Sequence, residues 1–227
     1  MGIAGRGRQT VLAIPDLHAP FTARRALSFV RDVADRVQPD SVVFLGDEID
    51  AHALSRYAPD PDGLAPAAEL RAARRVLRPW FDAFPAAKVC TSNHAQRAAR
   101  KAFGAGLPSD VLRPLRDVLD APETWQWADE WVIDDVAYVH GEQFGGLDAV
   151  RKAAVNYGRS VVFGHLHTTA GIVWNRNPSR TTFGFATGCL IDPSAYAFRY
   201  AAHSLRRPLL GVGVIDKGVP QWIPFTG

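Results

Sequence analysis

Two short apolar runs separated by an amphipathic stretch open the chain. Residues 10–14 and 41–45 are rich in aliphatic and β-branched side chains, which predicts strands buried on both faces. Between them, apolar positions recur at helical spacing up to residue 37, with Thr22 as the predicted N-cap and residues 38–40 as the stop. The pattern therefore predicts a β-α-β unit with parallel strands and a right-handed connection.

The rest of the chain continues the alternation of helix and strand. A second helix follows the loop at 58–66 and reaches residue 84, and Pro79 is expected to kink or split it. Residues 95 to about 127 have a polar, helical pattern without a strand, and a short helix is predicted near 146–157. Further strands are predicted at 88–91, 132–133, 136–139, 160–163, 172–174, 181–187, 210–215 and 221–224. Residues 132–139 form two strands that meet at a turn at Asp134-Asp135.

These elements predict one α/β domain over residues 10–227, preceded by a flexible tail at 1–9. Residues 95 to about 127 are interpreted as a small helical insertion over the site. The 227 residues are 47% hydrophobic and 22% charged, which is enough apolar surface for a core and too much for a disordered chain. The net charge of +3 permits anionic substrates without requiring nucleic acid. Two cysteines, no apolar run of membrane-spanning length and no signal-peptide pattern predict a soluble, cytoplasmic protein without a disulfide framework.

Polar side chains with metal-binding chemistry follow five of the predicted strands. Five of the seven histidines lie at these strand ends, together with aspartates and one asparagine. The set is Asp16, His18, Asp47, Asp50, Asn93, His94, His140, His165 and His167. In open α/β sheets ligands bind beyond the carboxyl ends of strands, and a lone histidine there is usually a structural residue. A dense cluster of carboxylate, amide and imidazole groups is what a metal site requires.

The order of these motifs strongly resembles the calcineurin-like metallophosphoesterase superfamily, from Asp16 to His167. The resemblance implies a four-layer α/β/β/α sandwich with two metals at the loop ends between the sheets. Carried over by position, it assigns Asp16, His18 and His167 to one metal, Asn93, His140 and His165 to the other, and Asp47 to both. His94 is the expected catalytic histidine that contacts the phosphate and assists the leaving oxygen, and Asp50 is expected to orient it.

The function implied is hydrolysis of a phosphodiester or nucleotide-like phosphoester by in-line attack of a metal-bridging hydroxide. Two cations about 3.5–4 Å apart neutralise phosphate oxygens and acidify a bound water. Nitrogen and oxygen ligands without cysteine favour Mn, Fe, Ni or Zn. Two divalent ions are expected, with Mn²⁺ as the first choice. The expected partner is a phosphoester substrate, with nucleotides and nucleic acids among the candidates. No membrane association is expected, and the oligomeric state stays open.

Two positions depart from the superfamily pattern. Ser92 stands where glycine is usual before the asparagine, and Ala95 replaces an acidic residue after His94. The residues after Asp50 disfavour the Ser/Thr protein phosphatase branch. The stretches 16–21 and 54–57 most resemble small phosphoesterases of phage and prophage genomes.

Weaker features define the alternatives. Arg97, with Arg100 and Lys101, either lines a phosphate-rich groove or forms a solvated helix face, and Arg56 either clamps a phosphate or pairs at the surface. The tryptophans at 125, 127 and 131 are predicted to be core rather than a base-stacking platform, and His52 is placed at the surface. The alternative functions are a nuclease that uses the same site and a non-catalytic scaffold of the same fold.

Overall fold

A computed structural model describes residues 7–56, 60–195 and 205–226. The helices within these ranges are α1 (Ala26–Val37), α2 (Pro66–Ala83), α3 (Arg97–Gly104), α4 (Leu115–Leu119) and α5 (Ala149–Asn156). The strands are β1 (Thr10–Ile14), β2 (Ser41–Phe44), β3 (Ala87–Cys90), β4 (Trp125–Ala128), β5 (Glu130–Ile133), β6 (Val136–Val139), β7 (Ser160–Phe163), β8 (Ala170–Arg176), β9 (Thr181–Thr187), β10 (Gly211–Asp216) and β11 (Val219–Pro224). Short 3-10 turns occur at His52–Leu54 and Ser109–Val111.

The strands form two sheets. The first has the order β11-β10-β1-β2-β3-β4, and the second has the order β5-β6-β7-β9-β8. In the first sheet the pairs β1-β2, β2-β3 and β3-β4 are parallel. In the second sheet the pairs β6-β7 and β7-β9 are parallel. The predicted parallel pairing of β1 with β2 is confirmed. Parallel strands place the loops that follow them at one edge of each sheet.

Three apolar layers hold the architecture together. One lies between the first sheet and helices α1 and α2, with Leu12, Val30 and Leu77 among its buried members. The second lies between the two sheets, where Tyr138 and Phe185 are fully buried. The third lies between the second sheet and α5. The predicted four-layer α/β/β/α sandwich is confirmed, because each sheet packs against the other sheet on one face and against helices on its opposite face.

Two local predictions were wrong, and one of the two alternatives for Pro79 is excluded. Residues 95–127 contain a strand at their end, because β4 pairs in parallel with β3 at the edge of the first sheet. Pro79 does not split α2, which runs unbroken from Pro66 to Ala83. Thr22 does not cap α1; its hydroxyl donates to the Leu17 carbonyl, and the helix begins four residues later.

Three other local predictions, for a turn, for the cysteines and for the tryptophans, are confirmed. The turn at Asp134-Asp135 joins β5 to β6, with both aspartates in the left-handed region. Cys90 and Cys189 are free and buried. Trp125 is buried in the core, and Trp127 and Trp131 pack against core clusters. None of the helices in the described ranges is both long and apolar enough to cross a membrane. Residues 1–6 of the predicted tail, His203 and Tyr57 of the phage-like stretch 54–57 lie outside the described residues.

Candidate metal centre

The loops after five strands bring the nine predicted strand-end residues together. Asp16 and His18 follow β1, Asp47 and Asp50 follow β2, and the remaining five follow β3, β6 and β7. Three of them, His18, Asp47 and His165, have left-handed backbones with φ of 48°, 48° and 62°. This conformation is costly for residues with a side chain and is typical of functional sites. The loops therefore have the strained geometry that aims several side chains at one point.

One group of donor atoms comes from Asp16, His18, Asp47 and His167, whose ligand atoms all lie within 4.8 Å of one another. His167 Nε2 lies 3.0 Å from Asp16 Oδ2 and 3.1 Å from His18 Nε2. His18 Nε2 lies 3.5 Å from Asp47 Oδ2. This group brings together the residues predicted for the first metal.

A second group comes from Asp47, His140 and His165. His140 Nε2 lies 3.4 Å from Asp47 Oδ2, 3.2 Å from His165 Nδ1 and 2.7 Å from Asn93 Oδ1. Asp47 Oδ2 therefore lies between the two groups, with a histidine nitrogen on each side. That is the placement expected of a carboxylate shared by two ions.

The tautomers of two histidines expose lone pairs to the centre. His18 Nδ1 donates to Asp50 Oδ1 at 2.6 Å, and His140 Nδ1 donates to the Leu45 carbonyl at 2.9 Å. Histidines that bind metals characteristically donate their other ring N–H to a carboxylate or carbonyl in this way. In a neutral ring Nε2 then has a lone pair. Burial works against a charge on His140, but Asp47 and Asp16 outweigh it and raise the pKa of that ring. Either a proton or a cation can therefore lie between its Nε2 and Asn93 Oδ1, which are 2.7 Å apart.

Asp16 supplies a further sign that the site fits a cation. Its Oδ2 accepts hydrogen bonds from the His165 N–H and from His167. Its Oδ1 is buried without a hydrogen-bond partner among the described residues. Such an orphaned carboxylate oxygen is costly unless an ion satisfies it. The donor set, with nitrogen and oxygen atoms only, matches the borderline divalent metals.

Two glycines make room for this arrangement. A Cβ on Gly164 would lie 2.2 Å from Asp16 Oδ1. Gly46 has φ of 92°, and a Cβ there would lie 2.9 Å from His140 Nδ1 and 2.7 Å from Ser92 Cβ. Any side chain at either position would displace a predicted ligand. The loops after β2 and β7 therefore both require glycine for the space, and the loop after β2 also requires it for a left-handed backbone.

Burial and neighbouring charges shift the pKa values of the cluster residues in different directions. Burial alone would raise the pKa of Asp47, but the charges of His140 and His94, whose own pKa values are raised, outweigh it and hold the pKa of Asp47 far below its usual range. Burial lowers the pKa of His18 and of His165, and neighbouring histidines lower both further. These two rings are therefore held neutral, which leaves nitrogen lone pairs available to a metal.

His94 lies at the edge of the cluster with Asp50 and Arg97 around it. Its Nδ1 donates to the Asp50 carbonyl at 2.7 Å and lies 3.3 Å from Asp50 Oδ1. Its Nε2 accepts from Arg97 Nη2 at 2.9 Å and lies 3.9 Å from Asp47 Oδ2. Asp50 therefore contacts His94 as predicted, although its shorter side-chain bond is to His18.

The predicted arginines occupy different places. Arg97 is half-buried and also donates to the Asp50 carbonyl at 2.7 Å, so it belongs to the cluster and not to a solvated helix face. Arg100 is exposed and pairs with Glu142 at 3.5 Å. Arg56 is exposed. His52 is half-buried, not at the surface as predicted, and its Nδ1 lies 3.8 Å from Asp50 Oδ2.

Two residues next to the ligands had no predicted role. The Ser92 hydroxyl accepts the Asp47 N–H at 2.9 Å, and Ser92 is not in the left-handed region, so it takes no strained glycine turn. Glu48 is buried and accepts from the Trp127 indole at 3.0 Å, and burial raises its pKa to about 7. Only the position of Glu48 beside Asp47 hinted at it in the sequence, because acidic turns after strands are common.

No protein-family model and no curated protein matches this sequence. Solved structures resemble it at low identity. The phosphoesterase YfcE from E. coli is 17% identical with a TM-score of 0.43, covering 91% of this chain and 88% of that one. A metallophosphoesterase from Sphaerobacter thermophilus is 14% identical with a TM-score of 0.47, covering 96% and 89%. Vps29 from Chaetomium thermophilum is 10% identical with a TM-score of 0.44, covering 91% and 81%.

All three TM-scores lie below 0.5, so these similarities carry no argument about fold or activity. The case for the four-layer α/β/β/α sandwich rests on the chain's own strand order and layers. The case for a metal centre rests on its converging donor atoms. The narrower assignment to phage-type proteins stays a prediction.

Proposed function

We propose that this protein is a two-metal phosphoesterase that hydrolyses a phosphodiester or a nucleotide-like phosphoester. The observation that carries the proposal is the convergence of acceptor atoms from both sheets on Asp47, with His94 beside them. Hydrogen bonds within the cluster satisfy some of these atoms, but Asp16 Oδ1 is buried without a partner among the described residues, which a purely structural cluster would leave unexplained. Such a centre would attract the anionic oxygens of a phosphate group.

The predicted ligand sets fit the two donor groups. Asp16, His18 and His167 would hold one ion, and Asn93, His140 and His165 the other, with Asp47 shared. When bound, the ions supply charge neutralisation of the phosphoryl oxygens and acidification of a water. The number of ions and Mn²⁺ as the metal are parts of this proposal.

The residues outside the ligand sets have separate roles in hydrolysis. A bond forms between a water oxygen and phosphorus while the ester P–O bond breaks, and the leaving oxygen gains a proton. His94 would supply or share that proton through Nε2, once bound substrate displaces the Arg97 Nη2 group from which this atom otherwise accepts. Burial works against the charged ring, but Asp47 and Asp50 raise the pKa of His94 overall and favour the protonated form. Arg97, which contacts His94, would stabilise phosphate charge beside it.

The test compares bis-p-nitrophenyl phosphate with p-nitrophenyl phosphate after chelation and repletion with Mn²⁺, Ni²⁺ or Zn²⁺ in turn. Turnover that returns with metal and favours the diester is expected. Bound metal should be counted in the same samples. Two bound ions without turnover of either substrate, or of a broader panel of diesters, would contradict the proposal and favour the non-catalytic scaffold.

The nuclease alternative draws less support from the described surface. It needs a basic groove that leads to the metals, and Arg97, Arg100 and Lys101 were the residues expected to form it; Lys101 is exposed. Arg97 is engaged by the Asp50 carbonyl and His94, and Arg100 is paired with Glu142. Metal-dependent cleavage of single- or double-stranded DNA or RNA in the same assay would revive that reading.

A further inference from the structure

A large apolar cavity opens beside His94. Its volume is about 860 Å³, and it lies between α2, α3, residues 112–118 and β4. Its apolar lining includes Ile49, Leu54, Leu70, Leu115, Val118 and Trp125. Cavities of about 300–1,000 Å³ with mostly apolar walls are typical of small-molecule sites.

The cavity joins the metal centre through His94. His94 lines the cavity, and its Nε2 lies 3.9 Å from Asp47 Oδ2, the oxygen shared by the two donor groups. None of the seven predicted metal ligands is among the cavity's described lining residues. A molecule with a phosphoryl group at Asp47 and its ester oxygen at His94 would therefore extend into the cavity.

Several of the charged and polar side chains of the lining are engaged by the protein itself, and the others include Thr91, Glu123 and Gln126. Both Glu69 oxygens accept backbone N–H groups, from His52 at 2.6 Å and Ala53 at 2.9 Å. The Trp127 indole N–H donates to Glu48. At the outer wall, Arg113 donates to the Asp117 carbonyl and Arg116 to the Asp117 side chain. The interior consequently offers apolar contact more than hydrogen bonds.

We propose that this cavity binds the alcohol part of the substrate, and that the substrate is a phosphoester of a bulky apolar alcohol. The inference rests on the proposed function, because it places the phosphoryl group at the metal centre. Since His94 faces both the cavity and Asp47, the group in the cavity is the one that leaves. Sugar hydroxyls and base edges would lose their hydrogen bonds to water in such a cavity, so an apolar alcohol fits better than a nucleoside.

The experiment measures binding rather than turnover. Calorimetry with n-alkylphosphonates from methyl to decyl, kept below their micellar concentrations, is performed on metal-replete and chelated protein. Phosphonates have no ester bond to hydrolyse, so affinity is read without catalysis. Burial of each added methylene is expected to tighten binding by about two- to fourfold until the cavity is filled. The trend should persist in the chelated protein, with weaker binding throughout.

Three variants locate the effect. Ala67→Trp and Ala98→Trp place an indole at two exposed positions of the lining, on α2 and α3, where folding should tolerate it. Both should flatten the dependence on chain length while leaving methylphosphonate affinity within about twofold. Ala105→Trp is the matched control, because Ala105 is exposed and is not part of the lining. It should behave as the unmodified protein does.

The outcomes separate this inference from the proposed function. A flat chain-length series, undetectable binding of decylphosphonate, or an equal slope in all three variants would overturn the cavity proposal, even if p-nitrophenyl esters are hydrolysed. A steep series that both lining variants abolish would support it, even if no ester is hydrolysed. Tighter binding of a nucleoside phosphonate than of decylphosphonate would reassign the cavity to nucleosides.

Discussion

At the scale of single residues, the site depends on which atom of each ring carries the proton. His18 and His140 use Nδ1 to hold Asp50 and the Leu45 carbonyl, so Nε2 of each is committed to the centre. His94 uses Nδ1 in the same way, but its Nε2 meets Arg97 rather than a ligand. Under the proposed function, this difference would separate a histidine that acts on substrate from histidines that hold an ion.

Replacing His94 should therefore affect rate and leave metal binding intact. His94→Ala is expected to retain the metal content of the unmodified protein while kcat falls by about two to four orders of magnitude, as for loss of an acid and charge-stabilising group. His52→Ala is the matched control, since the two side chains are 15% and 14% exposed and both lie near Asp50. Unchanged kcat in His94→Ala would remove this residue from the mechanism.

Gly164 offers a test of the metal site that leaves every ligand in place. In Gly164→Ala the new methyl group would press on Asp16 Oδ1, so metal content should fall and the free energy of unfolding should drop by about 1–3 kcal/mol. Metal analysis and urea denaturation measure the two effects. Gly145→Ala is the control, because no atom lies within 4 Å of its added Cβ. Full metal content in Gly164→Ala would mean that Asp16 can move without loss of a ligand.

At the scale of elements, the strands that could best be predicted from the sequence are those made of a short, continuous apolar run. β1, β2, β6 and β7 are short, mostly buried runs followed by chemically distinctive residues, so their positions and the seven strand-end residues that follow them could be predicted from the sequence. β4 was missed because residues 125–128 follow a polar helical stretch, and only pairing with β3 makes them a strand. The cavity is equally a product of tertiary packing.

The errors within helices also have local causes. Pro79 removes one helical hydrogen bond, to the carbonyl of Arg75, and both residues are exposed, so water can replace the lost partner. Thr22 looked like a cap, but its hydroxyl is taken by Leu17, and Arg25 precedes α1 in the left-handed region. Neither outcome follows from residue preference alone.

The contribution of β4 can be measured through Trp125. It packs against Phe44 and Phe81 with ring centroids 4.5 and 4.7 Å away, and its indole donates to the Phe84 carbonyl at 2.7 Å. Trp125→Ala should lower the free energy of unfolding by about 3–5 kcal/mol in chemical denaturation. Gln126→Ala, at the exposed neighbour, should stay within about 0.5 kcal/mol of the unmodified protein. Similar losses in both variants would argue against β4 as a packed strand.

At the scale of the whole molecule, the candidate centre joins the two sheets. Asp16, His18, Asp47 and Asn93 follow strands of the first sheet, whereas His140, His165 and His167 follow strands of the second. Bound ions would therefore connect the sheets at this end, beyond the apolar layer between them. Stability should depend on metal as well as on the core.

Metal removal tests this connection. At a hundredfold excess over the dissociation constant, each filled site adds about 2.7 kcal/mol. For a chain of this size that raises Tm by about 5–11 °C, which differential scanning calorimetry with and without chelator measures. Asp47→Asn should show a smaller shift, because both ions lose a shared ligand. Equal Tm values for metal-replete and chelated protein would contradict a centre that links the sheets.

The contact between Asp16 and His165 also sets an order of events during synthesis. The His165 N–H donates to Asp16 Oδ2 at 2.8 Å across 149 positions of sequence. During synthesis, Asp16 and Asp47 leave the ribosome long before His165 and His167 do. Closing so long a loop brings no gain in free energy until the second sheet packs against the first. Under the proposed function, complete metal binding would therefore occur only after residues 165–167 have been synthesised and the two sheets have packed together.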